Sequence, residues 1–333
     1  MPSDGNMKEF LQLIRWQNLG IVVLTMVLMR YAIIAPLISR VGITLLQKQG
    51  EAIPMTLQFP LISFIILVMA TVCITAAGYV INDYFDIRTD LINRGRVIVG
   101  TKIPRRQAIM WHTVLNLAGV SAGFYISWKA GYLWFGTLFL VVSGLLYFYS
   151  ASYKRQFLIG NIIVAILTAM VPLLVVVFEW SALYRYYAAN AVTVPDLSFL
   201  FYWVGGFAMF AIMTTLAREI IKDVEDFEGD KAYGRNSLPV IIGIPGSKIV
   251  AACLVIITII SLFSVWYLFL HDWLTLAYIS VTIAIPLFYV IYLIVIASER
   301  KQMNRASQLM KIVMLAGVLY SVVVKIILTW NLV

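Results

Sequence analysis

Long apolar runs alternate with short polar ones along this chain, and the apolar runs are too long for core helices of a soluble domain. A bilayer core of about 30 Å takes about 20 residues of helix. On that template the pattern predicts nine spans, near 18–39, 58–82, 107–129, 132–150, 157–181, 198–220, 249–270, 274–296 and 308–330. Pro36, Pro172 and Pro286 fall inside spans and are expected to kink them, as membrane helices tolerate. The first residues, MPSDGNMKEFLQLIRWQN, are polar and mildly amphipathic, without the short basic region, apolar run and cleavage site of a signal peptide. They are read as an interfacial lead-in helix. The fold class expected is an all-α membrane protein, with residues 1–333 forming a single multi-pass membrane domain.

Composition agrees. The 333 residues are 62% hydrophobic and 12% charged, with a mean hydropathy of +0.92. Soluble domains carry about 25% charged residues. The net charge of +9 falls in loops, so it reads as basic residues facing anionic lipid, and nucleic acid is not an expected partner. Arg88, Arg94, Arg96, Lys102, Arg105 and Arg106 follow span 2, Lys154 and Arg155 follow span 4, Arg218, Lys222, Lys231, Arg235 and Lys248 surround the loop after span 6, and Arg300, Lys301 and Arg305 follow span 8. The other side has Arg40, Lys48, Lys129 and Arg185. This bias predicts a multi-pass cell-membrane protein with its N-terminus and these loops in the cytoplasm. Trp180, Tyr184, Tyr186 and Tyr187 are expected to form an outer aromatic belt. Cys73 and Cys253 lie in apolar runs and read as packing residues. His112 and His271 share no metal-ligand spacing.

The acidic residues change the picture. INDYFDIRTD, Ile81–Asp90, closes an apolar run of about two dozen residues with three aspartates. Arg218–Pro239, REIIKDVEDFEGDKAYGRNSLP, carries Glu219, Asp223, Glu225, Asp226, Glu228 and Asp230. Asp83, Asp86 and Asp90 share a D-x-x-D-x-x-x-D spacing with Asp223, Asp226 and Asp230, each 140 positions on (83 to 223, 86 to 226, 90 to 230). Both triplets close an even-numbered span on the same side. This reads as an internal repeat, with pseudo-repeated halves of roughly 1–150 and 151–333. Offsets of three and seven fall within about 60° on a helix, so each triplet is expected to line one helix face. Three carboxylates on one face repel unless cations sit between them, and oxygen-rich clusters suit Mg²⁺. The candidate metal ligands are Asp83, Asp86, Asp90, Asp223, Asp226 and Asp230, with Asn82 as a neutral oxygen. Two such faces across a cavity suit two Mg²⁺ ions and a diphosphate. Single D-x-x-D patterns are usually solvated loop acids; the duplication in an acid-poor chain argues otherwise.

With these residues in hand, the chain resembles the UbiA superfamily of intramembrane prenyltransferases. Asn82, Asp83, Asp86 and Asp90 are similar to its first N-D-x-x-D motif, and Lys222, Asp223, Asp226, Gly229 and Asp230 to its second. Tyr147–Arg155 (YFYSASYKR), followed by Gly160 and Asn161, resembles the family's segment after the fourth helix, and RWQN, Arg15–Asn18, its opening. One departure is Val97, where the family usually has the proline of an Arg-Pro pair. The resemblance implies about nine transmembrane helices in a UbiA-type bundle with a central cavity, Mg²⁺ as cofactor, and an isoprenyl diphosphate and a lipophilic acceptor as partners. It implies Asp83, Asp86, Asp223 and Asp226 as catalytic, Asn82, Arg94, Lys154 and Lys222 as diphosphate-binding, and Asn18, Tyr149 and Ser150 at the acceptor or cation pocket. The KDVEDFEGD form resembles the ether-lipid branch, whose acceptor is geranylgeranylglyceryl phosphate, and also the homogentisate prenyltransferases with aromatic acceptors.

Departure of diphosphate from an allylic carbon builds negative charge that metal and nearby Lys or Arg stabilise, and Tyr147 and Tyr149 are candidate faces for the carbocation. The rival class is a transporter, which also uses repeats and paired acidic clusters. Transport sites lie near the midplane; these triplets lie at span ends, where lipid head groups meet water. Arg30 and Lys325 lie within spans and are functional suspects unless they snorkel or pair.

Overall fold

The structure is a computed structural model and describes residues 4–41, 45–46, 52–53, 55–95, 97–190 and 194–330. Among these residues nine helices are long and apolar enough to cross a membrane: α1 (Trp16–Ser39), α2 (Leu61–Phe85), α3 (Arg105–Lys129), α4 (Leu133–Ala151), α5 (Ile159–Asn190), α6 (Ser198–Glu225), α7 (Leu238–Leu270), α8 (Trp273–Ile296) and α9 (Arg300–Trp330). Each matches one span read from hydropathy. The ends differ where a helix outlasts its apolar core. The aromatic Trp180–Tyr187 segment stays helical to Asn190, and α9 begins in the basic RKQMNR segment. α7 starts at Leu238 because a kink at Gly243 (φ 79°, ψ 161°), followed by Pro245, joins a short helix to the spanning one.

The prolines act as wide turns require. Pro36 lies two residues past the end of a π-helical segment, Met29–Ile34, and Pro286 two past another, Ile279–Ala284. A π turn moves the carbonyl that the proline ring would strike and absorbs the missing N–H. Pro172 is carried within α5.

The chain forms two compact units, each built from separated segments. The first holds Met1–Val23, Leu61–Val164 and Asp223–Ser247. Here α2 packs on α3 and α4. Gly119 of α3 approaches α2 so closely that a Cβ would lie 2.6 Å from Ile74 Cγ1, as in membrane helix pairs that meet through small residues. His112 Nδ1 lies 3.0 Å from the Ala77 carbonyl, and Ser143 donates to Asn116 at 2.8 Å, so polar contacts also join the three helices. The predicted lead-in helix is Asp4–Leu13. It docks through Leu13, which is fully buried with Val80, Ile87, Val99, Ile103 and Ala108.

The second unit holds Leu24–Pro60, Ala165–Lys222 and Lys248–Val333. Its telling feature is an extended segment at 55–60 whose Met55 and Phe59 are buried. Non-helical backbone in an apolar setting needs internal partners, and two charged side chains supply them. Glu179 Oε1 accepts the amides of Gln58 (2.6 Å) and Phe59 (3.0 Å), while Arg30 donates to the Phe59 carbonyl and stands 3.7 Å from Glu179. Tyr187 is buried as well and hydrogen-bonds the Thr56 backbone, so it belongs to this stitching and not to the expected outer belt. Arg30 therefore has a structural occupation. Lys325 is exposed, five residues before the end of α9. Glu179→Ala is expected to cost about 3–5 kcal/mol, since it strips the counter-charge from a buried guanidinium. A detergent thermal midpoint within 2 °C of wild type, by tryptophan fluorescence, would contradict this account.

Candidate active site

Both aspartate triplets lie in the first unit, and their backbones match. α2 ends at Phe85; Asp86 has φ −89°, ψ 1°, and a short helix follows at Ile87–Arg94, ended by left-handed Gly95. α6 ends at Glu225; Asp226 has φ −95°, ψ 10°, and a short helix follows at Phe227–Ala232. The amide of Asp90 donates to the Asp86 carbonyl (2.8 Å) and that of Asp230 to the Asp226 carbonyl (3.1 Å). The expectation of one uninterrupted helix face per triplet is thus corrected. Each helix breaks at the middle aspartate, which occupies the sparsely populated bridge region where many active-site residues sit. The two short helices meet where the Gly229 amide donates to Asn93 Oδ1 at 3.0 Å. A Cβ at Gly229 would stand 2.5 Å from that side chain, so the glycine of the EGD sequence is required by close approach.

Asp86 is buried, and both its oxygens are engaged. Oδ2 accepts from Lys154 Nζ, and Oδ1 accepts from Arg235 Nη2 at 2.6 Å. Lys154 also donates to Asn82 Oδ1 (3.2 Å) and lies 6.0 Å over the Tyr149 ring. Arg235 continues to Thr89 Oγ1 (2.7 Å) and Asp230 Oδ1 (3.3 Å). It reaches them because Gly234 (φ 62°) turns the chain back after the short helix. Burial pushes the Asp86 carboxyl up, but the charges of Lys154 and Arg235 outweigh it and hold the group well below the usual carboxylate range. Burial likewise lowers Lys154, and Asp86 overcomes it, so the ammonium titrates above an ordinary lysine. Asp230 is raised by burial, against the pull of Arg235.

The remaining residues sit around this centre. Asp83 Oδ1 accepts from Arg15 Nη2 at 2.8 Å, Arg15 stacks 4.8 Å over the Tyr79 ring, and Asn18 donates to the Tyr79 hydroxyl at 3.3 Å. Arg15 holds φ 52°, a left-handed conformation that costs a non-glycine residue about 1–3 kcal/mol and persists where the surroundings enforce it. Asp223 Oδ2 accepts from Asn161 Nδ2 at 2.7 Å. Asp90 and Asp226 are half-buried; Lys222, also half-buried, belongs to the second unit. Ser150 is buried and gives its hydroxyl to the Leu146 carbonyl of its own helix (3.0 Å). Tyr147 is exposed and Tyr149 half-buried. The side chain of Arg94 and all of Arg96 lie outside the described residues.

Among the described residues no three of these carboxylates converge closely enough to hold a metal unaided. Mg²⁺ takes one or two carboxylates and completes its shell with water and substrate phosphate. The donors are hard oxygens throughout. Sequence reading missed Arg235, Thr89, Asn93 and Asn161 as site residues. Arg235 had been assigned to loop charge, although its place five residues after Asp230 and beside Gly234 was visible.

Residues 50–315 match the UbiA prenyltransferase family. The chain belongs to that family and is a multi-pass membrane prenyltransferase. It is 31% identical over 255 residues to the digeranylgeranylglyceryl phosphate synthase of Methanosphaera stadtmanae, covering 75% of this chain and 84% of that one. A solved structure concerning digeranylgeranylglyceryl phosphate synthase in membranes superposes with a TM-score of 0.61 at 23% identity, covering 95% and 98% of the two chains. A UbiA homologue from Archaeoglobus fulgidus bound to DMAPP and Mg²⁺ gives 0.51 at 17%, covering 95% and 99%.

Proposed function

We propose that this enzyme transfers a geranylgeranyl group from geranylgeranyl diphosphate to the hydroxyl of geranylgeranylglyceryl phosphate, with Mg²⁺ as cofactor. The observation that carries the reaction type is the Lys154 ammonium, half-buried and held between Asp86 and Asn82 at the acid-bearing end of α2. The acceptor rests on the relatives' digeranylgeranylglyceryl products. Of the six aspartates expected as metal ligands, Asp83, Asp90, Asp223 and Asp226 are the proposed metal carboxylates; Asp86 and Asp230 are instead paired with Lys154 and Arg235, and Asp86 orients Lys154. Mg²⁺, when bound, neutralises the diphosphate and polarises the bond to the leaving oxygen. Lys154 donates to the oxygens on which charge develops as the C1–O bond breaks. Lys222 and Arg94 are further candidates for the diphosphate, and Asn18 and Tyr149 for the pocket in which the allylic carbon meets the acceptor. The acceptor oxygen bonds to C1, and its proton passes to a carboxylate or to the departing diphosphate.

The N-terminus and these loops are placed in the cytoplasm, supported by the loop charge bias. The paired breaks at Asp86 and Asp226, 140 residues apart, support the reading of two repeated halves.

The test uses labelled geranylgeranyl diphosphate in purified membranes with Mg²⁺, offered geranylgeranylglyceryl phosphate and a hydroxylated aromatic acid separately. Label is expected on the glyceryl phosphate alone, lost in EDTA and restored by Mg²⁺. Label on the aromatic ring would replace the proposed acceptor, and indifference to chelator would remove the metal.

A further inference from the structure

The proposed acceptor carries a phosphate of its own, and the deep cations of the site are committed elsewhere. Lys154 serves Asp86 and Asn82, and Arg235 serves Asp86, Thr89 and Asp230. Arg15 differs. Its side chain is 30% exposed and gives a single N–H to Asp83. Among the described residues its Nε and Nη1 make no hydrogen bond. It stands at the junction of the Asp4–Leu13 helix and α1, where a lipid head group meets the end of a span.

That junction is built to hold it. Leu13 is fully buried in the small core under Val99 and Ile103, Phe10 lies 4.6 Å from Trp111 between ring centroids, and Glu9 pairs with Lys102 at 3.4 Å. Asp83 and the Tyr79 ring then fix the guanidinium from two sides. The backbone there is left-handed, a conformation for which glycine or asparagine is the ordinary choice. A fixed planar fork with N–H groups to spare matches a phosphate better than a mobile ammonium does.

We propose that Arg15 is a specificity-determining residue: anchored on Asp83, it binds the phosphate monoester of the acceptor lipid. The assignment rests on the acceptor reading given above. It makes Arg15 the group that separates a phosphorylated prenyl glycerol from its dephosphorylated form.

The test measures binding to the full chain in lipid nanodiscs, with EDTA present, of geranylgeranylglyceryl phosphate and of geranylgeranylglycerol. Wild type is expected to bind the phosphorylated lipid about tenfold tighter or more. Arg15→Asn, which suits the left-handed backbone, is expected to bring the two affinities within about twofold, by loss on the phosphorylated lipid only. Arg15→Lys should restore part of the difference. The assignment falls if Arg15→Asn keeps the discrimination or weakens both lipids equally. It also falls if discrimination is lost only in Arg105→Gln/Arg106→Gln, which would put the phosphate at the start of α3. Label assays separate the two readings. A wild type that makes the ether lipid while Arg15→Asn still discriminates overturns the Arg15 assignment alone. A wild type that labels only an aromatic acceptor overturns the acceptor reading.

Discussion

Lys154→Met is expected to lower prenyl transfer by about a thousandfold or more while leaving a folded, membrane-inserted protein. The lysine sits in a single turn, Tyr153–Arg155, between α4 and α5. Gly160 lets the next helix close over it, since a Cβ there would lie 2.9 Å from Lys154 Cα. Burial works against its charge and Asp86 restores it, so the ammonium is protonated throughout the physiological range. A fixed positive charge at the leaving oxygens acts mainly in the transition state. Methionine fills nearly the same volume, and Asp86 keeps Arg235 as its partner, which is why the fold survives. The measurement is a single-turnover rate beside a thermal midpoint. A loss smaller than tenfold would take Lys154 out of leaving-group stabilisation.

Asp86→Ala is expected to be the most damaging change in the site for stability, at about 3–5 kcal/mol. It leaves two largely buried cations, Lys154 and Arg235, facing an apolar methyl group. Removing one cation as well should recover part of the loss, so Asp86→Ala/Arg235→Met is expected to melt above Asp86→Ala alone. The pH dependence has a definite sign. A carboxyl held below its ordinary value of 3.8 contributes fully above that pH, and its contribution is lost as pH falls through the depressed pKa. Asp230, raised by burial, acts in the opposite sense, its share being lost as pH rises through its own pKa. Acid melting attributable to the Asp86 pairs should therefore begin only below about pH 4. Thermal scans of wild type and Asp86→Ala that converge already at pH 6 would contradict that assignment.

How much of this was legible beforehand depended on the period of the signal. The nine spans could be read because an apolar run of bilayer length has few other uses. The paired triplets could be read because acids are scarce in such a chain and their spacing repeats. The break at Asp86 was hidden, since IND-YFD-IRT contains no glycine or proline to mark it and offsets of three and seven suit a straight helix equally well. Arg235 was hidden for another reason. In a loop already rich in basic residues, sequence carries no sign of which cation turns inward; only Gly234 hinted at a reversal. Arg30 looked like a functional charge because hydropathy could not reveal that residues 55–60 bring backbone polar groups to it. The EGD glycine was legible as a family resemblance, and its cause, the Asn93 side chain, became visible only in three dimensions.

The stitching of that extended segment bears on how the protein is made. Glu179 is separated from Phe59 by 120 residues. A ribosome adds about 5–20 residues each second, so the amides of Gln58 and Phe59 wait roughly 6–24 s for their acceptor. For most of that interval α1 and α2 are already synthesised, while the amides of Gln58 and Phe59 lack the Glu179 carboxylate. The stitching of residues 55–60 is therefore completed only when α5 arrives. Until then Arg30 lacks the counter-ion that Glu179 supplies in the finished chain.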